Sequence, residues 1–264
     1  MRKVNGMRLQ TLIATMNRQH DYRFLDAMNL EGEVIVINQC DEINVEYKTG
    51  ETYSATVISS KKRGISNSRN EAILHTDADV FLTGDDDIVY RKGYGQIVLD
   101  CFERHPEADI IAFNTGKHHV PEGMPIRQDY KKWRKAPPNR YYESVSLAYR
   151  KSSFDRKNLH FHPLFGTGSV YLNGEESLVQ RAARQQGLRI YESPEVLADV
   201  DYSESTWFKG FDAKYFYDKG ALVKCAYPYT YRLMKYYFLL KKKGSDLSFK
   251  EILHQINLGI RSLH

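Results

Sequence analysis

The stretch Val80-Phe81-Leu82-Thr83-Gly84-Asp85-Asp86-Asp87 joins a short apolar run to three consecutive carboxylates. We predict that residues 80–83 form a buried strand that stops at Gly84, with the aspartates in the loop beyond it. Like charges packed together raise each other's pKa values unless a cation neutralises them. Hard divalent ions such as Mg²⁺ and Mn²⁺ prefer oxygen ligands and share them with substrate phosphates. A solvated acidic turn is the alternative, but the position after a strand favours a metal site.

Predicted strands and helices alternate on both sides of this stretch. Apolar and β-branched runs predict strands at residues 9–15, 33–38, 109–114 and 145–149, and a hairpin formed by 45–47 and 52–58. Helices are predicted at 21–28, 64–75 with Ser66 or Asn67 as cap, 92–104, 175–186 ended by Gly187, 231–242 and 248–262. This pattern is typical of an α/β fold with a mostly parallel central sheet and helices on both faces. Ligands then bind at the carboxyl ends of the strands.

The composition limits the class of protein. With 264 residues, 42% of them hydrophobic, the chain is long enough for one sizeable domain with an extension. Its net charge of +5 fits anionic partners such as phosphates without requiring nucleic acid. Three cysteines at irregular spacing favour a reducing compartment over a disulfide framework or a zinc site. The first residues lack the apolar core of a signal peptide and no run of about 18 apolar residues occurs, so we expect a cytoplasmic protein.

Two segments lie outside the regular alternation. Residues 115–140 are polar, basic and proline-containing, and too long for a simple connection, so we interpret them as an active-site flap or acceptor loop. The tail at 229–243 combines aromatic residues with a basic patch, which suits docking on an anionic membrane. A helix packed on the domain, or an oligomer contact, is the alternative for that tail. We expect a catalytic domain at 1–220 and a C-terminal helical extension at 221–264.

Several motifs in order resemble one enzyme family. Gly64-Ile65-Ser66-Asn67-Ser68-Arg69-Asn70 precedes the aspartates by about 15 residues. It is similar to the G-x-x-x-x-R-N segment that precedes the D-x-D motif in family-2 glycosyltransferases of GT-A fold. Ile13 to Arg18 resembles that family's first strand and its nucleotide-contacting end. Gly174-Glu175-Glu176-Ser177 resembles the family's catalytic-base motif, usually Glu-Asp. The resemblance extends over about residues 9–220.

The resemblance implies a metal-dependent glycosyltransferase, and most family members invert the anomeric centre. Asp85 and Asp87 would be ligands of the metal and the diphosphate, and Asp86 a ribose contact or a further metal ligand. Arg69 would pair with the aspartates or with the phosphates, since its rigid fork suits both. The base and ribose would be contacted at the tips of the first two strands by Thr15, Asn17, Arg18, Asn38, Gln39 and Asp41. Asn38 and Gln39 stand where the family usually carries acidic residues.

The candidate general base is Glu176, or Glu175 beside it. That role requires a carboxylate within about 3 Å of the acceptor hydroxyl, in a pocket dry enough to keep the carboxylate basic. Acidic residues in the first turn of a helix are also favoured by the helix dipole, whatever the function. The loop Gly166-Thr167-Gly168, with His160 and His162 before it, is expected to form the acceptor floor, although ordinary structural roles for both histidines stay open.

The implied substrates are a nucleotide-sugar donor and a saccharide or lipid-linked acceptor in cell-surface polysaccharide or capsule synthesis. A UDP-sugar is favoured because uridine is common in the family, and Mn²⁺ or Mg²⁺ is the expected cofactor. Association with the inner face of the cytoplasmic membrane, and a homo-oligomer, are further expectations. A nucleotidyltransferase usually carries a glycine-rich basic loop near the first strand, and none follows residues 9–16. An inactive nucleotide- or sugar-binding protein on the same fold is the other alternative.

Overall fold

The computed structural model describes residues 6–120, 129–203, 210–240 and 245–263. The strands are β1 (Leu9–Met16), β2 (Gly32–Gln39), β3 (Asn44–Thr49), β4 (Tyr53–Ser60), β5 (Val80–Asp85), β6 (Ile88–Tyr90), β7 (Ile110–His118), β8 (Arg134–Lys135), β9 (Leu147–Arg150) and β10 (Ile190–Asp201). The helices are α1 (Phe24–Ala27), α2 (Ile65–His75), α3 (Tyr94–Arg104), α4 (Lys151–Arg156), α5 (Glu175–Gln185), α6 (Ala213–Ala226), α7 (Tyr231–Leu240) and α8 (Phe249–Ser262), with a 3₁₀ turn at Ser144–Ser146.

These strands form one mixed sheet in the order β3-β4-β2-β1-β5-β9-β7-β10-β6, with β8 paired to β10. The parallel pairs are β1 with β2, β1 with β5, β2 with β4 and β7 with β10. The antiparallel pairs are β3 with β4, β5 with β9, β7 with β9, and β10 with both β6 and β8. The predicted α/β class is confirmed, but the sheet is mixed, because β9 runs back between β5 and β7.

Apolar side chains fill both faces of the sheet. Ile13, Val36 and Leu82 pack on one face with residues of α1 and α3, such as Leu25 and Val98. On the other face, Leu12, Ile35 and Phe81 pack with residues of α2 and α5, such as Ile73 and Val179. Successive residues of a strand point to opposite faces, so a central strand buried on both sides has a continuous apolar sequence. This double burial holds the carboxyl ends of β1, β2 and β5 side by side.

Two local predictions were wrong. The first residue of α2 follows Gly64, and neither Ser66 nor Asn67 caps the helix. The Ser66 hydroxyl donates instead to the Phe165 carbonyl, and the Asn67 amide donates to the Arg63 carbonyl. The strand predicted at 80–83 continues to Asp85, so it does not stop at Gly84.

The long strand β10 was not predicted. Its sequence IYESPEVLADVD contains a proline and three acidic residues before its last position, which reads as a loop. Pairing with β7 is irregular there, with register shifts between Glu192 and Val196 and between Val196 and Ala198. The irregularity accommodates Pro194, which cannot donate a hydrogen bond to a neighbouring strand.

The C-terminal helices pack on the sheet domain and on each other. Phe216 of α6, Leu239 of α7 and Ile252 of α8 belong to one buried cluster. The predicted boundary between residues 220 and 221 falls within α6, and the division into two parts stays a prediction. Lys241 to Lys243 lie outside the described residues. Among the helices of the described part, none is long and apolar enough to cross a membrane.

Candidate active site

The three aspartates lie at the carboxyl end of β5. Asp85 is the last residue of the strand and pairs in register with Ala14 of β1. Gly84 permits close packing just before it, because a Cβ atom there would lie 2.3 Å from the Tyr90 hydroxyl and 2.9 Å from Ile13. The glycine is therefore a packing requirement of the strand, which carries Asp85 to the same edge of the sheet as the ends of β1 and β2.

One buried arginine joins the aspartates to the start of α5. Arg69 of α2 has only 3% of its side chain exposed. One of its terminal nitrogens donates to Asp85 Oδ1 at 3.0 Å, and the other donates to Glu175 Oε1 at 3.0 Å. A guanidinium is planar and presents several donors in a fixed fork, so it can hold two carboxylates at once. The bridge brings β5, α2 and α5 together at one point.

Asp86 belongs to a second ion pair at the end of β1. Its Oδ2 accepts from the Arg18 guanidinium at 2.7 Å and from the Thr15 hydroxyl. The Arg18 Nε also donates to Thr15 Oγ1 at 3.0 Å, and its guanidinium lies 4.5 Å from the centre of the Phe24 ring. Three of the predicted nucleotide contacts, Thr15, Arg18 and Asp86, are therefore assembled into one unit.

On β2, the two amide side chains predicted to contact the nucleotide, Asn38 and Gln39, form hydrogen bonds within the chain. Asn38 is buried, and its side chain accepts from the Arg18 amide N–H and donates to the Arg18 carbonyl. Gln39 Oε1 accepts from the Gly64 amide N–H at 2.7 Å. Both amide side chains therefore fix loops beside the site, and this role suits a neutral amide better than a buried carboxylate.

Arg63 is a candidate site residue that the sequence reasoning missed. It donates to Asn17 Oδ1 at 3.1 Å and to the Gln39 carbonyl at 2.6 Å, and it forms an ion pair with the exposed Asp41. These contacts hold the carboxyl ends of β1 and β2 together. The available signal was its position directly before Gly64, at the start of the glycine-to-arginine motif.

Glu175 and Glu176 open α5 in different surroundings. Glu175 is buried and held by Arg69, whereas Glu176 is half-buried and its Oε1 accepts from the Ser144 amide N–H at 2.7 Å. Burial, together with the negative charge of Glu175, raises the pKa of Glu176 well above its ordinary value. A carboxylate with a raised pKa is a stronger base, which is what proton removal from a hydroxyl requires.

The loop before α5 lies against these carboxylates. Gly166 has φ +104°, and a Cβ atom there would lie 2.4 Å from Ile65 and 3.1 Å from the Glu175 carboxyl carbon. The Thr167 carbonyl accepts from the Ile65 amide N–H at the start of α2. His160 is exposed, and His162 Nδ1 accepts from the Leu164 amide N–H at 3.3 Å. The loop thus borders the site, and these histidine contacts are local.

Tyr202 and Glu143 are further neighbours of the candidate base. The Tyr202 hydroxyl donates to Glu143 Oε2 at 2.9 Å. Burial and then the negative charge of Glu143 raise the pKa of Tyr202, and Glu176 and Asp87 also contribute. The charges of the candidate base and of a predicted metal ligand therefore both act on Tyr202. Neither Tyr202 nor Glu143 belongs to a motif, so sequence reasoning had no signal for them.

The acidic run has the charges of a cation site but not a complete ligand set. Asp85 and Asp86 are paired with arginines, whereas Asp87 is exposed and has no ion pair within the described residues. Partial desolvation and the charges of Asp85 and Asp86 raise the pKa of Asp87 to about 6. Across the described ranges, no three His, Cys, Asp or Glu side chains are grouped to hold a metal. A cation at this run would need further ligands from a substrate.

Comparisons with known proteins identify the family and the fold. The family described as Glycosyl transferase family 2 matches residues 8–172, a range that ends before Glu176. Among curated proteins, none matches the sequence. The fold is similar to the crystal structure of S. aureus TarS 1-349 (TM-score 0.58, 14% identity, 97% of this chain and 72% of that one). It is also similar to the same protein in complex with UDP-GlcNAc (TM-score 0.61, 16% identity, 97% and 73%).

Proposed function

The chain belongs to glycosyl transferase family 2, and from that premise we propose that it transfers a sugar from a nucleoside-diphosphate sugar to an acceptor hydroxyl. The observation that carries the proposal is the buried bridge from Asp85 through Arg69 to Glu175, directly beside Glu176. It joins the predicted donor site to the candidate base. The complex of TarS with UDP-GlcNAc supports a UDP-sugar as the donor.

Asp85 and Asp87 are the residues proposed to hold a divalent cation, Mn²⁺ or Mg²⁺, together with the donor diphosphate. Partial desolvation and the crowding of three carboxylates support this, since together they raise the pKa of Asp87 to about 6 and a bound cation would offset the negative charge. Such a cation, when bound, stabilises negative charge on the leaving diphosphate. Asp86, fixed by Arg18 and Thr15, is proposed to contact the ribose.

Glu176 is proposed to take the proton of the acceptor hydroxyl as that oxygen attacks the anomeric carbon. The bond between this carbon and the diphosphate oxygen breaks on the opposite face, and its electron pair leaves with the nucleotide, so the configuration inverts. The Ser144 N–H holds one oxygen of Glu176 and leaves the other for the hydroxyl. Glu175 acts as a positioning residue, because its charge is held by Arg69.

Calorimetric titration of UDP tests the donor site. We expect UDP to bind in the presence of Mn²⁺, and a chelator or the Asp87→Asn substitution to weaken binding at least about tenfold, because the diphosphate loses its counter-charge. GDP and ADP serve as controls for the base. Binding that is unaffected by the chelator would contradict the metal role, and no binding of any nucleoside diphosphate would contradict the donor site.

We further propose a saccharide or lipid-linked acceptor, a place in cell-surface polysaccharide synthesis, and peripheral association with the inner face of the cytoplasmic membrane. The support for membrane contact is α7, where Leu233, Tyr236 and Tyr237 are exposed beside Arg232. Residues 219–245 contain no Asp or Glu. Tyrosine rings suit the boundary between lipid and water, and the positive charge suits anionic headgroups.

Vesicle co-sedimentation tests the membrane contact. The protein is expected to bind anionic vesicles and not neutral phosphatidylcholine vesicles, and Leu233→Ser with Tyr237→Ser is expected to reduce binding about tenfold by removing apolar contact. Leu74→Ser with Tyr47→Ser is the matched control, since both residues are exposed elsewhere. Equal binding by the two double variants would contradict a specific role for α7.

A further inference from the structure

A cleft with basic walls lies along residues 129–140, within the segment that the sequence marked as a flap or acceptor loop. Its volume is about 930 Å³, at the upper end of the range of about 300–1,000 Å³ typical of ligand sites. The charged residues on its walls are Lys131, Lys132, Arg134, Arg140 and Asp129. The cleft is therefore large enough for several sugar residues and is predominantly positive.

The two arginines on the cleft wall, Arg134 and Arg140, both form ion pairs with one buried carboxylate. Glu192 of β10 has no exposed side-chain surface, and its two oxygens accept from Arg134 at 2.5 Å and from Arg140 at 2.9 Å. The Tyr142 hydroxyl also donates to Glu192, at 2.7 Å. One negative charge thus compensates two guanidinium groups, whose side chains stay 44% and 36% exposed. The excess positive charge lies on the cleft wall in a fixed geometry.

The lysines add charge that no carboxylate balances. Lys131 and Lys132 are exposed, and neither forms an ion pair with any residue that the structure describes. The one acidic wall residue, Asp129, is already paired with Lys117 at 2.8 Å. A group of cations without balancing carboxylates attracts anions, and the low-dielectric walls of a cleft concentrate the electric field of these cations.

One wall residue of the cleft, Tyr130, links it to residues next to the candidate base. This residue also lines a small cavity of about 20 Å³, room for one water, whose wall includes Glu143. Glu143 directly precedes Ser144, the residue whose N–H binds Glu176. Tyr130 is fixed beside the middle of β7, because its amide N–H and carbonyl both bond the Asn114 side chain.

We propose that this cleft binds the acceptor, and that the acceptor is a saccharide polymer with repeated anionic groups, either phosphodiesters or carboxylates. The inference rests on the proposed transfer function. A guanidinium pairs with either group through two parallel hydrogen bonds. A polymer with charges along its length contacts Arg134, Arg140 and the two lysines while it presents a hydroxyl to Glu176. A neutral glycan would leave the charge of the two lysines, and the excess charge of the two arginines over Glu192, unbalanced.

Binding of labelled polymers tests the proposal. Fluorescence anisotropy compares polyphosphate, polygalacturonate and neutral dextran of similar length, at low and at high NaCl. We expect at least one anionic polymer to bind at least tenfold more tightly than dextran, with binding that weakens in salt because the wall charges are screened. The stronger of the two polymers identifies the anionic group. Equal binding of dextran would overturn the proposal.

A matched pair of variants assigns the binding to the cleft. Lys131→Ala with Lys132→Ala is expected to weaken polymer binding on the order of tenfold. Lys92→Ala with Lys250→Ala removes the same charge from exposed positions elsewhere and is expected to change little. UDP titration of both variants tests the donor site separately. If neither variant binds UDP, that result contradicts the proposed transfer and not the anion-binding cleft. Equal losses in both pairs, or tighter binding of an oligonucleotide than of either polymer, would overturn the proposal.

Discussion

Replacing Glu176 with glutamine is expected to slow sugar transfer by about 10²–10⁴-fold, the usual contribution of general base catalysis. Glutamine has nearly the same shape, and its carbonyl oxygen can still accept from the Ser144 N–H, but it cannot take a proton. The rate is measured as release of UDP from the UDP-sugar with acceptor present, and UDP affinity by calorimetry. The affinity for UDP is expected to stay within about twofold of that of the unchanged protein, because the substitution removes an interaction made only in the transition state.

The same substitution is expected to stabilise the fold at neutral pH. Burial and the charge of Glu175 raise the pKa of Glu176 in the folded chain. Such a carboxyl binds its proton more tightly when folded, so the free energy of unfolding falls as pH rises from the unfolded pKa through the raised folded pKa. Removing the carboxyl recovers that loss, which is about 1.4 kcal/mol for every tenfold difference in proton affinity between the folded and unfolded chains. Urea unfolding should therefore show a larger gain for Glu176→Gln at pH 8 than at pH 5.

Two glutamate variants serve as controls. Glu195→Gln changes one exposed carboxylate and is expected to leave rate and stability unchanged. Glu175→Gln is expected to lower stability, because it removes one of the two carboxylates that hold Arg69. If Glu176→Gln kept its full rate while a folded Glu175→Gln protein lost it, the base would be Glu175 instead.

Replacing Arg69 with methionine is expected to lower the free energy of unfolding by about 3–5 kcal/mol, as for other buried ion pairs broken from one side. The substitution keeps most of the side-chain volume but leaves Glu175 buried without its cation and Asp85 without its partner. Urea denaturation followed by circular dichroism measures the change. Arg69→Lys is expected to recover part of it, since an ammonium carries the charge but lacks the fork that reaches both carboxylates.

The surroundings of Arg69 allow two checks of this explanation. Arg23 forms an ion pair with Asp21 on the surface, and Arg23→Met is expected to have no measurable effect. Adding Glu175→Gln to Arg69→Met is expected to restore part of the lost stability, because the uncompensated charge is gone. A loss below about 1 kcal/mol for Arg69→Met would contradict the structural role of the bridge.

The elements with strong local patterns were predictable. The strands β1 and β2, the hairpin of β3 and β4, and the helices α2, α3, α5 and α8 agree with prediction to within a few residues. The signals were continuous apolar runs, helical periodicity and Gly187 after α5. By contrast, β10 was missed because Glu192 is polar in sequence and becomes a buried residue only through Arg134 and Arg140, more than 50 positions earlier.

Part of the candidate site was also predictable. The predicted family is confirmed, and the run of aspartates, Arg69 and the glutamate pair were all identified from motifs and spacing. Their individual roles stay predictions for the experiments above. The structure adds Arg63, Glu143 and Tyr202, and it directs the side chains of Asn38 and Gln39 to neighbouring loops. None of these contacts has a sequence pattern, because each depends on how the strand ends lie side by side.

The sequence by itself determined the family, the α/β class and the residues that carry charge at the strand ends, since apolar periodicity and short motifs are local properties. Only the tertiary structure decided that the sheet is mixed, that Arg69 bridges Asp85 to a glutamate 106 positions away, and that the neighbouring Glu175 and Glu176 differ in burial and partners. Pairing, burial and pKa depend on side chains that are distant along the chain and meet only after folding.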